Sequence, residues 1–365
     1  MSSEEKNVLI TKERDCTMKK RGFVFGCIVV LMYGCQFSIA ASPMAYSIIN
    51  RFAIGGEGGW DFCALDDATG RLFISHETQV QVVDVSTGKQ IGAISDTKGV
   101  HGIAFVPEAN KAYISNGTDT SVSIVDLKSL TLIKKVHVTG IGPDAIVYDP
   151  FSRSIIVFNG KSDNAAVIDV KTDKIAATIA LEGKPESAAS DGAGLLYDNY
   201  EDKNQVAVIN MKSMKVEKKW PVAPGEAPSA MAIDNQTHRL FIGCGNKMMV
   251  VMDAINGKVI TSLPIGGHVD AACFDSSTGL IFFSNGEGNI TVIESEKKDD
   301  YEVVQTVMTQ KGAKTIAMSS KTHHLYLPAA EYSAVPAPTT ENPKPKAKVK
   351  PGTFVILDVA PAAGK

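Results

Sequence analysis

From Tyr46 onward the chain alternates short apolar runs with polar turns, and no stretch carries the spacing of an amphipathic helix. The clearest stretch is 112–150, AYISNGTDTSVSIVDLKSLTLIKKVHVTGIGPDAIVYDP, which predicts two short strands, a third alternating strand, and a Gly-Pro-Asp step into the next unit. The rest of the chain repeats it. A run of Val, Ile, Leu or Met meets an acidic residue or Asn at Asp84, Asp126, Asp169, Asn210, Asp253, Glu294 and Asp358, at intervals of 42, 43, 41, 43, 41 and 64 residues. A period near forty without helices marks a radial β array, because a lone four-stranded sheet cannot bury both faces.

Seven such units argue for one closed ring over 41–365, an all-β, seven-bladed propeller of four-stranded antiparallel blades. The last interval is about 22 residues too long, and a Pro/Lys-rich insertion at 329–351 accounts for the excess. YSIINRFAI, ending at Ile54, reads as the fourth strand of a unit whose first three strands arrive at the C-terminus. That strand would close the ring and remove two free sheet edges. Asp-, Asn- and Gly-rich steps such as 66–70, 86–89 and 275–279 supply the turns.

The repeat resembles the YVTN family of β-propeller repeats. The signature appears as Tyr113-Ile-Ser-Asn116, with echoes at Phe73-Ile-Ser-His76, Val157-Phe-Asn159 and Phe283-Ser-Asn285. The continuations VSIVDLKSLTLIKKVHVTGIGP and AAVIDVKTDKIAATIALEGKP match as well, and the likeness covers 46–361 apart from the insertion. It implies an exported propeller. It assigns no ligand and no catalytic residue. A WD-repeat reading is weaker, since Trp60 and Trp220 are the only tryptophans.

Residues 1–40 read as an N-terminal extension and secretory signal peptide. A basic start at Met18, itself an alternative initiation site, leads to FVFGCIVVLMYGC and a small-x-small step at Ser38-Ile39-Ala40. The chain is therefore expected in the periplasm or outside the cell, with an uncleaved anchor as the alternative. Beyond residue 40 there are 31 basic and 36 acidic residues, a balance that does not suggest nucleic acid as the main partner. Cys63, Cys244 and Cys273 read as small apolar residues on strands, not as a disulfide framework.

The links between blades enter the innermost strands at equivalent positions. Asp61, His101, Asp144, Glu186 and Asp270 should therefore form a ring with Lys314 nearby, around the mouth of the central channel. Carboxylates with a neutral His suit a divalent cation, with Asp61, Asp144 and Asp270 as candidate ligands, or a small polar ligand. The same residues also fit a merely solvated rim. His268 reads as a rim histidine, His323-His324 as an exposed turn on the opposite face, and 198–204 as an acid-rich mouth-side loop without calcium-loop spacing. Lys344, Lys346, Lys348 and Lys350 alternate with prolines in the insertion, which predicts an extended, mobile segment able to touch an acidic partner, cell-wall polymer or nucleic acid.

No Cys-x-x-Cys-His, Gly-x-Ser-x-Gly or Walker motif occurs, and no cofactor is evident beyond a divalent cation. The sequence thus favours a monomeric binding or scaffolding module for a protein, small-molecule or cell-envelope partner. A lactonase-like metal-dependent hydrolase is the alternative, and DNA or anionic-polymer binding through the lysines a second one.

Overall fold

In the computed structural model, residues 45–56, 58–340 and 342–362 are described, and they form a seven-bladed β-propeller of four-stranded antiparallel sheets. Blades one to six span 60–94, 100–137, 143–180, 185–221, 228–264 and 269–308, each with strands in chain order from the channel outward. Blade seven takes Ala317–Met318, Leu325–Ala329 and Val355–Pro361 from the C-terminal end and Tyr46–Ala53 from the N-terminal end. The closure expected from the sequence is therefore present, with Tyr46 opposite Pro361 and Ala53 opposite Val355. The expected signal peptide lies outside the described residues. No described helix is long and apolar enough to cross a membrane.

The packing explains the sequence pattern. Seven apolar clusters lie one at each junction between neighbouring blades. Each middle strand faces a junction on both sides, so it reads as a continuous apolar run and not as an alternation. Ala112, Tyr113 and Ile114 are fully buried in succession, as is the run from Val122 through Ser123 and Ile124 to Val125. The outer strands face water on one side and alternate; Lys174–Ala180 exposes every second residue.

Four of the acidic residues that mark the repeat are structural. Asp84 Oδ1 accepts the Ser86 N–H at 2.8 Å, and Asp126, Asp169 and Asp253 cap their own turns in the same way. In blades one, three, four, five and six a glycine in the link before the blade lets the last residue of the second strand pack closely. A Cβ on Gly140 would sit 2.4 Å from Asn159 Nδ2, and one on Gly183 would sit 2.5 Å from the Tyr200 ring. Cys63 and Cys244 are buried, Cys273 half-buried, and all three are free thiols.

Two expectations about the surface require correction. Residues 198–200 are not loop but the end of the buried strand Leu195–Tyr200, and only Glu201–Lys203 turns, as a single 3-10 helix. His323 and His324 are not freely exposed: their Nδ1 atoms lie 2.6 Å and 2.7 Å from the buried carboxylates of Asp275 and Asp358.

A charged cavity at the channel mouth as candidate functional site

The ring positions are defined by a repeated backbone irregularity. In six blades the register between first and second strands slips just after Trp60, Val100, Pro143, Pro185, Pro228 and Val269. The residues inside the slip are Asp61, His101, Asp144, Glu186, Ser229 and Asp270. A bulge turns one side chain out of the pleat, and here it turns each toward the channel axis. A hydroxyl from a neighbouring blade then fixes several of these backbones. Ser115 Oγ donates to the Asp144 carbonyl at 2.5 Å, Ser284 Oγ to that of Lys314 at 2.6 Å, and Thr315 Oγ1 to that of Asp61 at 2.7 Å. Ser75 does the same for His101.

All six residues singled out from the sequence line one cavity of about 390 Å³, together with Trp60, Glu77 and Ser229. Lys314 Nζ bridges Asp61 Oδ1 at 3.1 Å and Asp270 Oδ2 at 2.6 Å. His101 Nδ1 lies 2.5 Å from Asp61 Oδ2 and 3.5 Å from Asp144 Oδ1. Glu186 Oε2 is 3.3 Å from Lys184 Nζ, which also pairs with Glu201.

The environments divide these carboxyls into two kinds. Burial would raise Asp61, but the His101 hydrogen bond and the Lys314 charge outweigh it, and its pKa lies below the usual range. Hydrogen bonding to Asp61, helped by Asp144, raises His101. Lys314 loses by burial and gains more from Asp270 and Asp61, so it stays protonated. Asp144 and Asp270 are instead pushed up, mainly by burial. Burial and the nearby Asp144 charge lift Glu186 to about 7 despite Lys184. Positive charge in the cavity is therefore concentrated on Asp61 and Asp270, and the Asp144–Glu186 side has less of it.

Glu77, Lys184 and Glu201 are absent from the sequence-based list of site residues. Reading down the repeat would have found two of them. The residue after the second strand is Gly117, Gly160, Gly245 and Gly286 in blades two, three, five and six, but Glu77 and Glu201 in blades one and four. At Gly117 a Cβ would stand 2.8 Å from His101 Nε2, so the small residue there makes room for the ring. Glu77 accepts the Gly59 N–H at 2.6 Å, which holds it at the cavity edge.

Asp61, His101 and Asp144 can present one ligand atom each within 4.8 Å of one another. That set of two oxygens and one nitrogen suits a divalent cation, although Lys314 already sits on Asp61. Asp270, the third metal candidate, is held by Lys314 and lies outside this trio.

The four lysines of the insertion do not converge. Lys350 pairs with Glu331 at 3.0 Å, Lys348 and Lys346 line separate cavities, and Lys344 lines neither. The insertion itself is not free of the fold: Tyr332 pairs with Val349, and the Ser333 N–H donates to the Lys348 carbonyl at 2.8 Å. His268 belongs to the Lys346 cavity and not to the ring.

No protein-family model matches the chain. It is similar to the antigen Lp49 of Leptospira interrogans, 25% identical over 199 residues, which cover 51% of this chain and 43% of that protein. The chain thus spans less than half the length of that relative. Among solved structures it resembles a chain of Kuenenia stuttgartiensis hydrazine synthase (17% identity, TM-score 0.67, covering 75% of this chain and 93% of that one). It also resembles chains of the mitotic checkpoint complex (14%, TM-score 0.69, 88% and 95%) and U3-55K (8%, TM-score 0.70, 86% and 98%). At these identities the likeness establishes the fold alone.

Proposed function

We propose that the protein is an exported propeller of the YVTN type that acts as a binding module, holding a small polar, positively charged ligand in the channel mouth. The observation that carries this reading is the pair Asp144 and Glu186, two half-buried carboxyls that face one cavity without a full complement of positive charge. Desolvated carboxyls gain most from a ligand that brings hydrogen-bond donors and charge. Export rests on the basic, apolar and small-residue segments of 18–40. The Leptospira relative is an antigen, which accords with export.

A second reading, a metal-dependent hydrolase, is favoured by the Asp61–His101–Asp144 trio. Those residues would hold a divalent cation, which would supply an activated water. DNA or anionic-polymer capture by the insertion is disfavoured because its lysines are dispersed.

Thermal unfolding with agmatine as a diamine-like probe, and separately with EDTA followed by Ca²⁺, Mg²⁺, Zn²⁺ or Mn²⁺, separates the readings. A ligand at about 100 times its Kd adds about 2.7 kcal/mol of stability. A shift with agmatine that Asp144→Asn and Glu186→Gln each remove supports the binding module. A shift with a metal that Asp61→Ala and His101→Ala each remove supports the hydrolase. No shift with any of these probes would reduce the ring to a solvated rim.

A further inference from the structure

The insertion builds a second cavity beside the first. It has a volume of about 610 Å³ and runs between the insertion, the blade six to seven link and the mouth-side loops of blade six. Its walls include Lys311, Lys314, Lys346, His268, Tyr332 and Val335, and no acidic residue among the described residues. Two carboxylates adjacent in the chain to its walls are already held, Glu287 (after Gly286) by Lys247 and Glu331 (before Tyr332) by Lys350. The central cavity, by contrast, is lined by Asp61, Asp144, Glu186, Asp270 and Glu77. Lys314 lines both, so the sign of the wall charge reverses across one side chain.

The groove is apolar as well as basic. Tyr332 is 39% and Val335 62% exposed, the two large apolar side chains of the insertion left open to solvent. Tyr332 is seated in a fixed place: its ring rests on Gly312, where a Cβ would approach it to 2.8 Å, and stacks at a tilt against Trp60 with centroids 6.0 Å apart. The wall behind it is tied by the Ser333 N–H to the Lys348 carbonyl and by the Lys348 N–H to Ser333 Oγ at 3.1 Å. Such a volume, with an apolar floor and a few charges of one sign, matches the usual form of a small-molecule site.

We propose that this groove is a second binding site, separate from the acidic cavity, for a small amphipathic carboxylate. The carboxylate rests on Lys311 and Lys346, and the aliphatic or aromatic body lies on Tyr332 and Val335. Charge complementarity selects an anion, and the exposed apolar floor selects a body that water solvates poorly. Among the described residues the insertion is the long departure from the forty-residue repeat, and it supplies one wall of this groove.

The test is calorimetric titration of the chain with octanoate, octylammonium, octanol and a short single-stranded oligonucleotide. Octanoate should bind more tightly than octanol and octylammonium. The double variant Lys311→Gln/Lys346→Gln should weaken octanoate by tenfold or more, about 1.4 kcal/mol, and leave octanol within twofold. Val335→Glu should abolish octanoate binding without lowering the melting temperature, because the side chain is exposed. Asp144→Asn, which acts in the other cavity, should leave octanoate within twofold, so failure here is distinct from failure of the channel-mouth reading. The proposal is overturned if octanoate does not bind at millimolar concentration, if octylammonium binds as well, or if the double variant is unaffected. It is equally overturned if the oligonucleotide displaces octanoate with steep salt dependence, which would make the groove a polymer site.

Discussion

Asp198 offers a sharp test of the packing account. It lies on Leu195–Tyr200, paired with Ala188 and Ala207, at the junction of blades three and four, and is fully buried. The equivalent second-strand residues are Ile74, Ile114, Val157, Ile242 and Phe283. Neither carboxyl oxygen reaches full hydrogen-bond geometry, and burial, offset only in part by the nearby Glu186 backbone N–H, raises its pKa well above 3.8. An unsatisfied buried polar group costs about 1–3 kcal/mol. Asp198→Val, the residue blade three carries there, should therefore stabilise the fold by about that amount near pH 4, before ionisation of the unfolded chain adds to it.

The pH dependence has a definite sign. The folded pKa is raised, so the folded chain holds a proton that the unfolded chain releases above about pH 4. The wild type thus loses stability relative to the variant as pH rises, by at most about 1.4 kcal/mol per unit while the folded carboxyl stays protonated. Urea unfolding of wild type, Asp198→Val and Asp198→Asn between pH 4 and 8 measures it. The valine advantage should be smallest at pH 4 and grow upward, and Asp198→Asn, which cannot ionise, should remove the pH dependence. A valine advantage independent of pH, or a net loss of stability, would show that the carboxylate is ionised and held by the protein.

Three further outcomes are expected. Gly183→Ala should destabilise by about 1–3 kcal/mol, because the added Cβ meets the Tyr200 ring at 2.5 Å; an unchanged urea midpoint would contradict the close packing. Deleting 46–53 should expose the partner strand Val355–Pro361, and hydrogen exchange should accelerate in blade seven before blade one; acceleration centred on 60–94 would refute the closure. Agmatine affinity should rise as pH passes about 7, where Glu186 ionises, and Glu186→Gln should flatten that dependence; an unchanged profile would exclude Glu186 from the site.

The architecture was legible because each blade restates the same register. Asp84, Asp126 and Asp169 fall at turn caps, and once they are aligned, Asp61, His101 and Asp144 fall at equivalent points of the inner ring. What escaped depends on contacts between distant segments. Asp198 begins an acid-rich run that reads as loop, yet strand pairing continues through Tyr200 and places it in a junction. His323 meets Asp275 from another blade, and Lys184 joins Glu186 to Glu201 across a link. The insertion reads as mobile from its prolines and lysines, and the seat of Tyr332 on Gly312 and against Trp60 shows that it is built against the mouth. Composition carries none of these pairings.

The most direct measurement is a crystal structure of the chain grown at pH 8 with agmatine. The account predicts density for its guanidinium or ammonium group between Asp144 and Glu186, with Lys314 still bridging Asp61 and Asp270. A cavity holding only water at saturating agmatine, with Asp144 and Glu186 solvated alike, would contradict it.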